Sequence, residues 1–240
     1  MQIFVSCSEC QKQPGGPVDA FLATYYEDRV VQMTCSRGHK TALVLQAAKF
    51  QVLLESGVNA LVDGYTLEAA ATFAAALERF LEFCIEVFCA HKQMSQPLFD
   101  QMFGQMSRQS ERQLGAFMVL YAAQTGDVYK PNPKLTEFRN SVIHKGRIPT
   151  PDQTADFCEM VFQAIQPVWK LLQTDYMAAY NEVMTRDRKS RWASVPDGTP
   201  TGSVYASLWS YAATKTFKET LEVYKRVHEQ QRHIPTYKSR

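Results

Sequence analysis

FQVLLESGVNALVDGYTLEAAATFAAALERFLEFCIEVF, residues 50–88, decides the fold class. In its second part Leu67, Ala70, Ala74, Leu77, Leu81, Ile85 and Phe88 recur at three- and four-residue steps. That spacing sets apolar side chains on one face of an α-helix. Phe73, Phe80 and Phe83 widen the stripe, so the pattern predicts a central helix running from Thr66, as N-cap, to about His91. Ala69 stands where a capping box would carry Glu. Asp63-Gly64 separates this helix from an earlier one over about 47–62.

Reading outward, breakers divide the rest of the chain. Helices are predicted over about 96–106 and 108–125, the latter ending before Gly126-Asp127. Pro131-Asn132-Pro133 stops the chain before the next helix. A long helix is expected from near Pro151 to about 184, a loop over 197–202, and a final helix over about 203–230. Residues 1–45 differ in kind. Gln13-Pro14-Gly15-Gly16-Pro17 is a turn signal, and Val30–Met33 and Ala42–Leu45 read as short strands. The chain divides into a small β unit, 1–45, and a helical unit with a C-terminal helical extension, 46–240. No internal repeat is visible.

Of the 240 residues, 45% are hydrophobic and 21% charged, with a net charge of +2. These values suit a globular protein and do not mark a nucleic-acid binder by overall charge, so any such binding needs a local patch. No apolar run reaches the roughly 18–20 residues of a membrane helix. MQIFVSCSEC lacks a basic n-region and a long apolar stretch, so it does not read as a signal peptide. A cytoplasmic protein with reduced cysteines is expected, where metal binding is commoner than disulfide pairing.

The cysteines bear this out as a pattern. Cys7-x2-Cys10 and Cys35-x3-His39 are separated by 24 residues. Three thiolates and one imidazole suit tetrahedral zinc, and Gly38 allows a sharp turn before His39. Four protein ligands close the coordination sphere, which predicts a structural ion and explains how so small a β unit folds. Cys84, Cys89 and Cys158 lie in apolar helical stretches and read as core.

FRNSVIHKG, residues 138–146, is a helix ending with more polar groups than a stop requires. Asn140 and His144, four apart, share a face. Arg139 lies five before His144, about 140° around the helix. Val142 and Ile143 are expected to anchor the segment, and Gly146 and Pro149 to end it. Such groups could transfer an RNA phosphodiester. An imidazole moves a proton near neutral pH, and a guanidinium offers paired donors to the developing phosphorane. The plainer alternative is a helix C-terminus with favourable cations and a capping Asn.

R-N-x3-H at a helix end, continued as HKGRIPT, resembles the Arg-polar-x3-His motif of HEPN-domain proteins. Residues 50–88, above all ALERFLEF, are similar to the first two helices of that family, and the resemblance spans roughly residues 47–185. It implies a mainly α fold, a helical HEPN-like bundle behind the zinc ribbon. It also implies that Arg139 and His144 form an active site oriented by Asn140, and that two motifs face each other in a homodimer or higher homo-oligomer. Many HEPN proteins are metal-independent RNases acting as toxins or phage-defence effectors, which adds RNA and a regulatory protein or antitoxin as partners.

Around the motif, Lys145 and Arg147 are candidate phosphate contacts or else solvated loop cations. Glu78, Glu82 and Glu86 form a stripe four residues apart. It reads as a solvated face, or else Glu78 reaches Arg139 or His144 and orients it. Arg186, Arg188, Lys189 and Arg191 are a basic run, a soluble linker or part of an RNA path. His91, His228 and His233 read as structural or exposed. Phe73 and Phe80 exceed one core stripe and suggest a dimer face on the first two helices. Three functions compete: a metal-independent endoribonuclease, a non-catalytic RNA- or nucleotide-binding module acting as an adaptor through its ribbon, and a structural adaptor.

Overall fold

The structure, a computed structural model, describes residues 2–12, 18–205, 208, 216–231 and 233–236. The expected turn at Gln13–Pro17 lies outside the described residues. The chain begins with β1 (Gln2–Ser6), a one-turn α1 (Ser8–Gln11), β2 (Ala20–Thr24), β3 (Val30–Thr34) and β4 (Lys40–Leu45). There follow α2 (Lys49–Val62), α3 (Thr66–His91), α4 (Gln96–Gly104), α5 (Ser110–Thr125) and α6 (Pro133–Ile143). Then come α7 (Pro151–Thr174), α8 (Met177–Trp192), β5 (Thr201–Val204) and the last described helix, α9 (Phe217–Gln231). The fold is mainly α with a small β region ahead of it.

α3 is the central helix, packed by α2, α5, α6, α7 and α8. Its stripe is fully used within one chain. Phe80 meets Phe50 of α2 edge-on, with ring centroids 5.0 Å apart. Phe73 meets Phe217 of α9 at 5.4 Å. Both rings are fully buried, so the dimer face expected at Phe73 and Phe80 is instead core. The sequence could not count the helices that would cover α3; here five pack against it.

Local signals set two of the helix starts. Asn132 Oδ1 accepts from the Lys134 N–H at 3.1 Å, with Pro133 in the first turn of α6. Thr150 and Gln153 form a reciprocal capping box at α7, where Pro151 is the first residue. Thr66 is buried as the first residue of α3 and caps nothing. The single helix expected over 151–184 is two, broken at Asp175-Tyr176. There Tyr176 donates its hydroxyl to the Gln124 carbonyl at 3.0 Å and packs its ring on Phe88 at 5.2 Å. Those long-range contacts hold Tyr176 out of helical geometry.

β1 pairs antiparallel with β2, and β3 with β4. β5 adds to the β3–β4 sheet as a parallel third strand, Ala42 opposite Thr201 and Leu45 opposite Val204. The expected loop therefore ends at Pro200, and residues 201–204 are strand rather than the end of that loop and the start of a helix. Gly202 permits that pairing, because a Cβ there would stand 2.7 Å from Leu43 Cδ2. Residues 206–207 and 209–215 of the expected final helix lie outside the described residues. Leu22 N–H also bonds the Pro235 carbonyl at 3.1 Å, so the first and last parts of the chain are stitched together.

The basic run belongs to this junction. Asp187 receives a two-pronged bond from Arg29, at 2.6 and 3.2 Å, and also pairs with Arg191. Arg191 is only 2% exposed and donates to the Leu45 carbonyl. Arg186 pairs with Glu86 at 2.8 Å, and Arg188 Nε donates to the Met184 carbonyl at 3.0 Å. The run lies inside α8 and is not a linker; Arg191, with Asp187, ties α8 to β3–β4, while Lys189 is exposed. Among the described residues no helix is long and apolar enough to cross a membrane.

Candidate active site and metal centre

Cys7 and Cys10 bracket the start of α1, where the Gln11 N–H returns to the Cys7 carbonyl at 3.2 Å. The second knuckle closes through Gly38 N–H to the Cys35 carbonyl and Cys35 N–H to the His39 carbonyl, both 3.0 Å. Gly38 has φ +79°, the left-handed turn that the reading of CSRGH required. The strands bring the knuckles together so that Cys7, Cys10 and Cys35 Sγ and a His39 ring nitrogen all lie within 4.8 Å of one another. A zinc tetrahedron with bonds of about 2.3 Å to sulfur and 2.0 Å to nitrogen has edges of about 3.8 and 3.5 Å. Cys10 Sγ to Cys35 Sγ is 3.8 Å and Cys10 Sγ to His39 Nδ1 is 3.5 Å. The donor set and its edges are compatible with a structural zinc site.

The thiols are unequal. Burial raises Cys10, yet hydrogen bonding from His39, the Asp19 backbone and Cys7 outweighs it and brings the thiol down to about 6. Burial pushes Cys7 up to about 11. Cys84 and Cys158 are fully buried, and burial holds their thiols well above the usual range. They and the buried Cys89 lie in the bundle core.

The polar motif occupies the end of α6. Arg139 turns back towards α3, where its Nη2 donates to Glu78 Oε1 at 2.8 Å. Its Nη1 makes a longer contact, 3.4 Å, to Asn140 Oδ1. All three side chains are half-buried. Val142 is buried, whereas Ile143 is exposed rather than an anchor. His144 caps the helix, its N–H bonding the Asn140 carbonyl at 3.1 Å. Its imidazole is exposed and, among the described residues, makes no side-chain hydrogen bond. The Arg147 N–H reaches back to the Ser141 carbonyl at 3.0 Å around Gly146, whose φ is +65°.

The acidic stripe is not a solvated face. Glu78 takes Arg139, Glu82 takes Arg79 at 2.5 Å, and Glu86 takes Arg186. Burial raises both Glu82 and Glu86 above the ordinary glutamate range. Lys145 is an exposed cation, but Arg147 is held. Its Nη2 donates to Gln153 Oε1 at 2.9 Å, and its guanidinium lies 5.9 Å from the Phe138 ring centroid. His91 packs on Tyr176, His228 on Tyr224, and His233 is exposed.

A cavity of about 190 Å³ opens beside the Glu78–Arg139 pair, between α3, α5 and α6. Gln113 and Tyr129, which line it, were not among the expected site residues. Gln113 follows Ser110, Glu111 and Arg112 in the polar first turn of α5, so nothing in the sequence set it apart. Burial pushes the Tyr129 hydroxyl up to about 12, so it is neutral.

Comparison with protein-family models, with curated proteins and with solved structures finds no match to this chain.

Proposed function

We propose that the chain is a HEPN-type, metal-independent endoribonuclease, a cytoplasmic toxin or phage-defence effector whose zinc ribbon is structural. The observation that carries this reading is the ordered series Glu78, Arg139, Asn140 leading to an exposed His144. A carboxylate fixes the guanidinium, and the helix end presents the imidazole.

The chemistry follows from those groups. His144 takes the proton of a ribose 2′-hydroxyl as the O2′–P bond forms. Arg139 donates to the phosphorane oxygens as charge collects there. The P–O5′ bond then breaks, and the imidazolium returns its proton to the leaving oxygen. The products are a 2′,3′-cyclic phosphate and a 5′-hydroxyl. Lys145 and the braced Arg147 follow His144 directly in the chain and contribute to holding phosphate. Three thiolates and an imidazole at tetrahedral spacing support zinc in the ribbon, where it would hold the two knuckles together.

Arg139 turns inwards while His144 is exposed, which supports a site shared by two copies about a two-fold axis. The exposed Ile143 and Ile148 flank His144 and give such a contact apolar surface. The test incubates wild type, Arg139→Ala and His144→Ala with mixed RNA, with and without chelator, and analyses the product ends. Each variant should lose about 10²–10⁴-fold in rate. A mixed dimer of the two variants should recover part of it. Wild-type cleavage by either variant, or strict dependence on added Mg²⁺, would sink the mechanism. The engagement of Arg139 by Glu78 also favours a second reading, an RNA-binding module that does not cut; tight binding without product would select it.

A further inference from the structure

Two free strand edges of the ribbon face one groove, and the bonds around them fix which backbone groups point into the open. Along a strand, residues alternate between those that bond the neighbouring strand and those that turn away from it. The Cys7 N–H bonds the Asp19 carbonyl at 3.0 Å, continuing the β1–β2 pairing, while the Leu22 N–H turns away from β1 to the Pro235 carbonyl at 3.1 Å. Phe4 is the register partner of Leu22. Phe4 and Ser6 therefore turn their N–H and C=O groups away from β2, to the open side of β1. On β5, the Pro200 and Val204 carbonyls accept from the Ala42 and Gln46 N–H groups at 2.9 and 2.7 Å. Alternation then turns Thr201 and Ser203 to the open side of β5. Among the described residues, no other strand or loop bonds these four backbone positions.

Phe4, Ser6 and Ser203 line the same groove, together with Leu43, Val204 and Tyr205. Phe4 is 40% exposed and Tyr205 67%, so the rim is open at the surface. Folded proteins guard such edges with charge, proline, a bulge or a covering segment. β2 is guarded, since Pro235 bonds it and Thr236 bridges to Leu22. β1, QIFVS, and β5, TGSV, hold no charged residue and no proline. No charged residue lines the groove either. That lining does not suit a nucleic-acid strand, whose phosphates are held by cations. It suits an uncharged chain, which leaves no charge to desolvate. An extended peptide offers N–H and C=O groups to both sides at alternate residues, as the two edges require.

We propose that this groove is a strand-addition site for an uncharged, extended segment of a partner protein. The segment lies between β1 and β5, bonding Phe4 and Ser6 on one side and Ser203 on the other. It joins the two sheets of the ribbon into one. β-Branched side chains at alternate positions pack on Phe4, Leu43 and Val204. The ribbon is then the docking surface of the chain, whether or not the helical unit cuts RNA.

The probe is a capped hexapeptide of alternating threonine and valine, added to the whole chain at up to about 1 mM, the weak end of measurable affinity. Amide hydrogen exchange is the readout. In the protein alone the Phe4, Ser6 and Ser203 amides should exchange fast. The peptide should slow them at least about tenfold, while Ile3 and Val5, already bonded to β2, change little. The same peptide N-methylated at alternate residues keeps its side chains and loses its donors on one side, so it should bind at least about tenfold more weakly. Ser203→Pro blocks the open edge of β5 without touching its bonds to β4, and should weaken the unmodified peptide to a similar extent. Circular dichroism checks the fold of that variant, and the N-methyl comparison, made on wild type, stands if it fails. No slowing by the peptide, or equal binding of its N-methylated form, overturns strand addition. Slow exchange in the protein alone would mean that the chain fills its own groove, which also overturns it. An oligouridine that slows these amides where the peptide does not would assign the groove to RNA instead.

Discussion

Glu78 Oε1 stands 2.8 Å from Arg139 Nη2, joining residues 61 positions apart across the contact of α3 with α6. The pair is half-buried, so solvent screens it only in part and the guanidinium is held in one orientation. Glu78→Gln keeps the shape and removes the charge. It should lower RNA cleavage by about tenfold or more through misplacement of Arg139, while the thermal midpoint moves little. The readout is single-turnover cleavage beside a melting curve; unchanged cleavage would show that Arg139 needs no orienting partner.

The ribbon should depend on its metal. Freshly purified protein should carry one zinc per chain by elemental analysis. Cys35→Ser should release it and strip hydrogen-exchange protection from β3 and β4, because binding energy there is folding energy. Protection of Leu43 and Leu45 should fall together with that of β5, which pairs with them. Retention of β3–β4 protection after metal loss would count against the site.

Asp187 anchors two arginines, one of them buried. Asp187→Ala leaves Arg191 charged with no carboxylate; with Asp187 31% exposed, solvent screens the pair in part and the cost should fall to about 1–3 kcal/mol, below that of a fully buried pair. Denaturant unfolding should show a loss of that order. A loss below about 1 kcal/mol would mean that the Leu45 carbonyl alone satisfies Arg191.

Burial raises Glu82, with Arg79 and Lys49 opposing and Glu86 assisting. Burial likewise raises Glu86, against Arg186 and with Asp187 assisting. A carboxyl whose folded value is raised binds its proton more tightly in the fold. Its contribution to stability is full below the ordinary glutamate range, about pH 4, and is lost as pH rises through the raised value. Glu82→Gln should therefore flatten the fall in stability as pH rises above about 4. Unfolding curves at those pH values check the slope; an unchanged slope would place the titration elsewhere.

What the sequence determined by itself was local. The three- and four-residue spacing of α3, the Pro133 and Pro151 helix starts, and the two Cys/His knuckles were all legible, because each signal lies within a few neighbouring residues. So was the exposed helix end carrying His144. The tertiary structure decided what depends on distant pairing. β5 is a strand only because β4 offers an edge and Gly202 fits against Leu43. α7 and α8 are separate because Tyr176 is drawn to Phe88 and the Gln124 carbonyl. Phe73 and Phe80 face partners within the chain because α9 and α2 cover them. Arg139 meets Glu78, and Gln113 meets the cavity, by helix packing alone. Periodicity reports which face of a helix is apolar, but only packing decides what lies against it.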